Sequence, residues 1–150
     1  MSITRTQLEA ATEALKLALK FDRPADAVLH EFFRAHRALG SHDRAFVAET
    51  VYGVLRRKRT VDHLWPAGTP RRMLLAYLAR VAGISVRELA TVMKPDEQSW
   101  LARVKAEPLV DLPLALRAEL PDWIVERLRS RLAEPEIAAL AKGLNEPAPL

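Results

Sequence analysis

Residues 41–64 read SHDRAFVAETVYGVLRRKRTVDHL. Val47, Val51, Val54 and Val61 recur at the spacing of one helical face, and Trp65 just beyond extends the seam. Phe46, Thr50 and Gly53 form a second seam beside it, so the stretch is expected to be a long helix buried on two sides. Ser41 is a natural N-cap for it, and Gly40 a left-handed stop for the helix before. Gly53 falls in the helix interior, where glycine costs about 1 kcal/mol relative to alanine. The physical reason to keep it is close approach of a crossing helix.

Upstream, Thr6-Gln-Leu-Glu9 fits a capping box, and Leu8, Ala11, Leu15 and Leu19 follow on one face. Phe21 to Pro24 breaks that helix, and Pro24 opens a second with Val28, Leu29, Phe32, Phe33 and Leu39 inward. Downstream, a helix is expected from Pro70 to about Ala82, stopped by Gly83, with Leu74, Tyr77, Leu78 and Val81 inward. Ser85 caps a short helix to about Met93, and Pro95 and Asp96 open another that carries Trp100, Leu101 and Val104. Pro108 to Pro113 is a loop. Beyond it, Pro121 and Asp122 open a helix with Leu120, Ile124, Leu128 and Leu132 on one stripe. Pro135 starts another with Ile137, Leu140, Ala141 and Leu144, C-capped by Asn145. Pro147 and Pro149 forbid continuation and predict an extended exit over 147–150. Strand-like alternation never exceeds three or four residues. The expectation is an all-α bundle.

Composition narrows the function. The 150 residues, 49% hydrophobic and 28% charged, suit one globular domain with or without a connector. No apolar run reaches membrane-spanning length, and the polar N-terminus is no signal peptide, so the expected location is cytoplasmic. Zero cysteines exclude disulfides, thiolate metal sites and thiol nucleophiles. The five glycines are isolated, so no Gly-rich turn cradles a nucleotide. His30, His36 and His42 share no helical face and His63 sits beside Asp62, so no metal site is expected. Catalytic residues and bound cofactors are expected to be absent from these residues.

Charge is unevenly spread. Residues 1–110 carry 18 Lys+Arg against 12 Asp+Glu, whereas residues 111–150 carry 5 against 7. Arg34 to Arg72 holds nine basic residues opposed only by Asp43, Glu49 and Asp62. Such asymmetry points to a polyanion, most simply RNA; a solvated arginine-rich surface is the competing account. On a continuous helix, Arg56-Arg-Lys-Arg59 spreads around the axis. Lys58 then edges toward the core and Arg57 follows the Gly53 side, while Arg56 and Arg59 share a stripe with Tyr52 and Glu49. The acid Glu49 favours the account in which these charges only complement the helix end. An aromatic flanked by two guanidiniums suits a phosphate backbone or a splayed base. Arg71 and Arg72 lie in the first turn after Pro70, where the helix dipole disfavours cations, and are therefore expected to serve an external partner. Tyr52, Arg56, Arg59, Arg71 and Arg72 are the candidate RNA-binding residues.

Asp43-Arg44, Val47, Val51-Tyr-Gly-Val-Leu-Arg56, Arg57-Lys-Arg59 and Asp62 together resemble the NusB-like domain at the front of RsmB/Sun-type ribosomal RNA cytosine-5 methyltransferases. Arg23 to Gly40 and Arg71 to Leu89 fit the same template. The LPDW…LNEPAPL segment resembles the stretch that introduces that family's catalytic half. The resemblance implies a NusB-like bundle over 1–118 and connector helices over 119–150. These lead to an S-adenosylmethionine-dependent catalytic domain absent from this sequence. It implies RNA, ribosomal RNA above all, and the chain's own catalytic domain as partners. One departure concerns free-standing NusB, a transcription antitermination factor with an arginine-rich N-terminal stretch, where this chain offers only Arg5. The expected function is a non-catalytic RNA-recognition or positioning domain. The alternatives are a free-standing antitermination factor and a protein scaffold that never touches RNA. The scaffold predicts an exposed apolar patch on the connector helices.

Overall fold

A computed structural model describes residues 2–148; Pro149 and Leu150, the end of the expected extended exit, lie outside the described residues. Within them the chain is all-helical, with ten helices and no strand. The main body comprises α1 (Arg5–Ala18), α2 (Ala25–Ala35), α3 (Ser41–Arg56), α4 (Lys58–Leu64), α5 (Pro70–Arg80), α6 (Val86–Leu89) and α7 (Pro95–Ala106). A C-terminal group follows: α8 (Leu114–Ala118), α9 (Asp122–Arg129) and α10 (Glu134–Asn145).

The body is organised by α1 lying against α3 and α5. Leu8, Ala11, Ala14 and Leu15 of α1 are fully buried, as are Val47, Val51 and Val54 of α3 and Leu74 and Leu75 of α5. Each large apolar side chain so buried contributes roughly 1.5–3 kcal/mol. The capping box sits at Thr4–Gln7, two residues before the expected Thr6–Glu9. The Thr4 hydroxyl accepts the Gln7 N–H at 3.2 Å, and Gln7 Oε1 accepts the Thr4 N–H at 3.0 Å. The earlier start buries Ile3 and lets Gln7 Nε2 donate to Asp43 Oδ1 at 2.9 Å, joining α1 to α3.

Three further expectations are corrected. Helix α2 stops at Ala35, where the His36 ring stacks on Phe32 at 4.0 Å. Gly40 therefore has φ −68° and occupies the N-cap position of α3, with Ser41 the first helical residue. The long helix expected from Ser41 onward breaks at Arg57 (φ −108°, ψ 21°). The break frees the amides of Arg59 and Thr60 from their own helix, and the Glu119 carboxylate accepts both, at 3.0 and 3.1 Å. In α9 the fully buried residue is Val125 rather than Ile124, while Leu120, Leu128 and Leu132 pack against the same cluster as expected.

Gly53 is at a close approach, as expected, although the neighbour is a ring rather than a helix backbone. A Cβ there would lie 2.0 Å from Tyr77 Oη and 2.3 Å from Tyr77 Cζ, so the α5 tyrosine rests directly on the glycine. Gly83 (φ +77°) ends α5 as its sequence position predicts.

Helices α8, α9 and α10 form their own small cluster of Leu114, Ala115, Val125 and Ile137. Asn145 lies inside α10 rather than capping it, donating to the Ala141 carbonyl at 3.1 Å. Of the four apolar residues expected inward on α10, Ile137 and Ala141 are buried while Leu140 and Leu144 are exposed.

Candidate nucleic-acid interface

The candidate residues do not form one surface. Arg57 separates Tyr52 and Arg56, on the last turns of α3, from Arg59 on α4. Arg59 turns to the C-terminal group: its Nη1 donates to the Leu120 carbonyl and, at 2.9 Å, to Asp122 Oδ1. Glu119 completes this junction. Held in the left-handed conformation (φ 55°, ψ 32°), it places its carboxylate on the first turn of α4 and also accepts the Thr60 hydroxyl. A carboxylate at a helix N-terminus satisfies orphan N–H groups and complements the dipole. Lys58 pairs with Asp62 at 2.6 Å across one turn instead of lying along the core.

Arg71 and Arg72 were expected to serve an external partner because their own dipole disfavours them; in the structure both have acidic partners within the fold. Helices α5 and α7 run side by side with their N-termini together. The acids that favour the first turn of α7, Asp96 and Glu97, therefore face the arginines of α5. Arg71 forms a bidentate pair with Glu97, Nε to Oε1 at 2.6 Å and Nη2 to Oε2 at 2.9 Å, and also donates to the Val92 carbonyl. Glu97 is only 4% exposed and additionally accepts the Lys94 N–H at 2.8 Å. The hydrogen bonds from Arg71 outweigh burial and hold the Glu97 carboxyl below the usual carboxylate range. Arg72 lies over the rings of Trp100 (4.8 Å) and Trp65 (5.3 Å) and pairs with Asp96 at 3.4 Å. At the other end, Arg80 donates to the carbonyls of Lys105 and Glu107, both at 2.6 Å, closing the last turn of α7.

Pairing divides the basic stretch. Of its nine basic residues, Lys58, Arg59, Arg71 and Arg72 have carboxylate partners. Arg34, Arg37, Arg44, Arg56 and Arg57 have none within 4.0 Å among the described residues. Of the three opposing acids, Asp43 accepts from Gln7 and Asp62 from Lys58, and Glu49 pairs with none of these arginines among the described residues. Arg44, Ala48, Tyr52 and Arg56 follow one another at four-residue steps along α3, so they share a stripe. Tyr52 is half-buried and Arg56 exposed. The Tyr52–Arg56 part of the expected unit thus extends back toward the end of α2, not forward into α4. Arg34, Arg37 and Arg44 were counted in the basic sum without being singled out. The signal available for them was the scarcity of acids between residues 32 and 48, where Asp43 stands alone.

The chain is similar to the Ribosomal RNA small subunit methyltransferase B of Thermus thermophilus, at 32% identity; the match covers 72% of this chain and 31% of the relative. It falls in the relative's N-terminal region. The chain thus spans 31% of the length of that curated relative. No family model and no solved structure matches.

Proposed function

We propose that this chain is the RNA-recognition or positioning part of an S-adenosylmethionine-dependent ribosomal RNA cytosine-5 methyltransferase, with a NusB-like body and connector helices over 119–150. The observation that carries the reading is its 32% identity to the N-terminal region of a ribosomal RNA methyltransferase. The unpaired arginines of α2 and α3 support the RNA part of it. In this account Arg56 contacts the phosphate backbone, and Tyr52 offers an aromatic edge beside it. Arg59, Arg71 and Arg72 act indirectly, Arg59 by tying α4 to the C-terminal group and Arg71 and Arg72 by tying α5 to α7.

The residues present do not fit the methyl donor. The five glycines are dispersed and the chain contains no cysteine, so methyl transfer is assigned to no residue here. The contribution of this domain is positioning: it raises the local concentration of RNA beside a catalytic region supplied by the same enzyme.

A scaffold role for the C-terminal helices has its own support. Trp123, Leu140 and Leu144 are 64%, 43% and 67% exposed, which suits contact with the catalytic region. The two roles are compatible, since the apolar residues lie on α9 and α10 and the unpaired arginines on α2 and α3.

The test is fluorescence anisotropy with a labelled single-stranded ribosomal RNA segment at low salt. Binding is expected, with log affinity falling by about 0.7 per phosphate contact for each unit of log salt. Arg56→Gln should flatten that slope by one contact. Absence of binding by the folded parent at low salt would overturn the RNA reading and leave the scaffold role.

A further inference from the structure

The ends of α2 and α3 enclose a shallow cleft of about 460 Å³ lined by His30, Phe33, Arg34, Arg37 and Arg44. Three guanidiniums converge here without a carboxylate on any of them among the described residues. The nearest acid on α2, Glu31, pairs with Arg23 and acts on Arg34 only beyond contact distance. Elsewhere in the same basic stretch, Arg59, Arg71 and Arg72 each meet an acid supplied by the fold. The cleft gathers three of the five arginines of the stretch that no carboxylate pairs among the described residues, the other two being Arg56 and Arg57.

Helix dipoles explain only part of this arrangement. Arg34 is in the last turn of α2, where a cation is favoured. Arg37 lies beyond that helix, and Arg44 sits one turn into α3, at the end where a cation is disfavoured. Arg44 is nevertheless held in place. Its Nε donates to the Leu39 carbonyl at 2.9 Å and its guanidinium lies 5.9 Å from the centre of the Phe33 ring. Fixing Arg44 through Nε and the ring leaves its terminal nitrogens without a protein acceptor among the described residues. Phe33 itself is half-buried against Phe32 at 5.8 Å, a stiff apolar wall beside the cations. One held guanidinium with two exposed ones beside an aromatic wall suits a nucleotide: phosphate oxygens for the guanidiniums and a base for the ring.

The geometry points to this cleft as a nucleotide-binding site for single-stranded RNA, in which Arg34, Arg37 and Arg44 take the phosphodiester and Phe33 contacts a base. The inference rests on the RNA reading above and assigns its main contact to residues outside the Tyr52–Arg56 stripe. Arg44 is positioned by Leu39 and Phe33, whereas Arg34 and Arg37 make no side-chain hydrogen bond or ion pair among the described residues.

The experiment measures affinity of the full chain for a labelled single-stranded oligonucleotide across a salt series, with far-UV circular dichroism as the folding check. The Arg34→Gln/Arg37→Gln variant should lose at least roughly tenfold in affinity at low salt and flatten the slope by about 1.4, two contacts at 0.7 each. Arg34→Lys/Arg37→Lys should retain the slope, because the charges remain. Phe33→Leu keeps apolar bulk but loses the π-face, and should weaken binding roughly fivefold with the slope unchanged. Replacing Arg117 and Arg127, exposed on the C-terminal helices, should change neither quantity. If the parent binds and the double Gln variant matches it in affinity and slope, the cleft is not the site and the RNA reading survives. If the parent itself fails to bind, the RNA reading falls and the cleft with it.

Discussion

The arginines at the start of α5 and those around the α2–α3 junction carry the same charge and have opposite electrostatic surroundings. Arg71 and Arg72 sit in a helix's first turn, where the dipole disfavours them, yet Glu97, Asp96 and two tryptophan rings receive them. Arg34, Arg37 and Arg44 surround a cleft that no carboxylate of the described residues enters. The first region is stabilised by its charges. The second keeps like charges together without a carboxylate between them, which leaves them available to an anion. A basic stretch in a sequence therefore divides into charges the fold consumes and charges it leaves for a partner, and pairing rather than density separates them.

If that division is right, the largest stability loss belongs to the paired region. Glu97→Gln leaves Arg71 without its anion and should cost about 3 kcal/mol or more, toward the lower end of the 3–5 kcal/mol typical for breaking a buried pair because Arg71 keeps some solvent. The Glu97 carboxyl is held below its unfolded value of about 4.3. Its contribution is therefore complete above that pH and disappears as pH falls through the folded value. Urea melts from pH 6 down to 3 should show the parent losing stability more steeply than Glu97→Gln. Equal steepness would mean that the Arg71–Glu97 pair does not carry the acid sensitivity.

Glu119→Gln tests the second place where the fold consumes charge. It weakens two amide bonds at the start of α4, and loss of hydrogen bonds to a charged group costs about 1.5–3 kcal/mol. The loss should appear as faster hydrogen exchange in α8, α9 and α10, with α1, α3 and α5 unchanged, because the C-terminal core is small. Uniform acceleration across the chain would show that body and C-terminal group unfold as one unit.

Gly53 lies between the two regions, beneath Tyr77. Gly53→Leu should destabilise by about 1–3 kcal/mol despite its better helix propensity. Gly53→Ala should be destabilising in the parent and neutral or stabilising once Tyr77 is truncated to Ala. Destabilisation by Gly53→Ala of equal size in both backgrounds would show that the ring is not what the glycine accommodates. The smallest effect is expected at Arg34 and Arg37, where Gln should change stability by less than about 0.5 kcal/mol.

Much of the fold was legible in periodicity, since Val47, Val51 and Val54 or Leu8, Ala11 and Leu15 needed only a helical face to be assigned inward. Gly53 was legible as a tight place, although nothing local named Tyr77. The break at Arg57 was not legible, because the carboxylate that occupies the freed amides comes from Glu119, far along the chain. The acidic partners of Arg71 and Arg72 were not legible for a related reason: the dipole argument considered α5 alone, and the neighbouring N-terminus of α7 supplies Glu97 and Asp96. The capping box was expected at Thr6 but forms at Thr4, where the earlier start buries Ile3 and allows the Gln7–Asp43 bond. Local chemistry thus fixed elements, while tertiary pairing decided which charges were left over.

The most direct test of that last point is the salt dependence of RNA affinity for Arg34→Gln/Arg37→Gln/Arg56→Gln, measured beside the parent on the same single-stranded RNA. The account predicts a folded variant whose slope is flatter by about 2, three contacts at 0.7 each. A parent that binds RNA and a folded triple variant that reproduces its slope would contradict it.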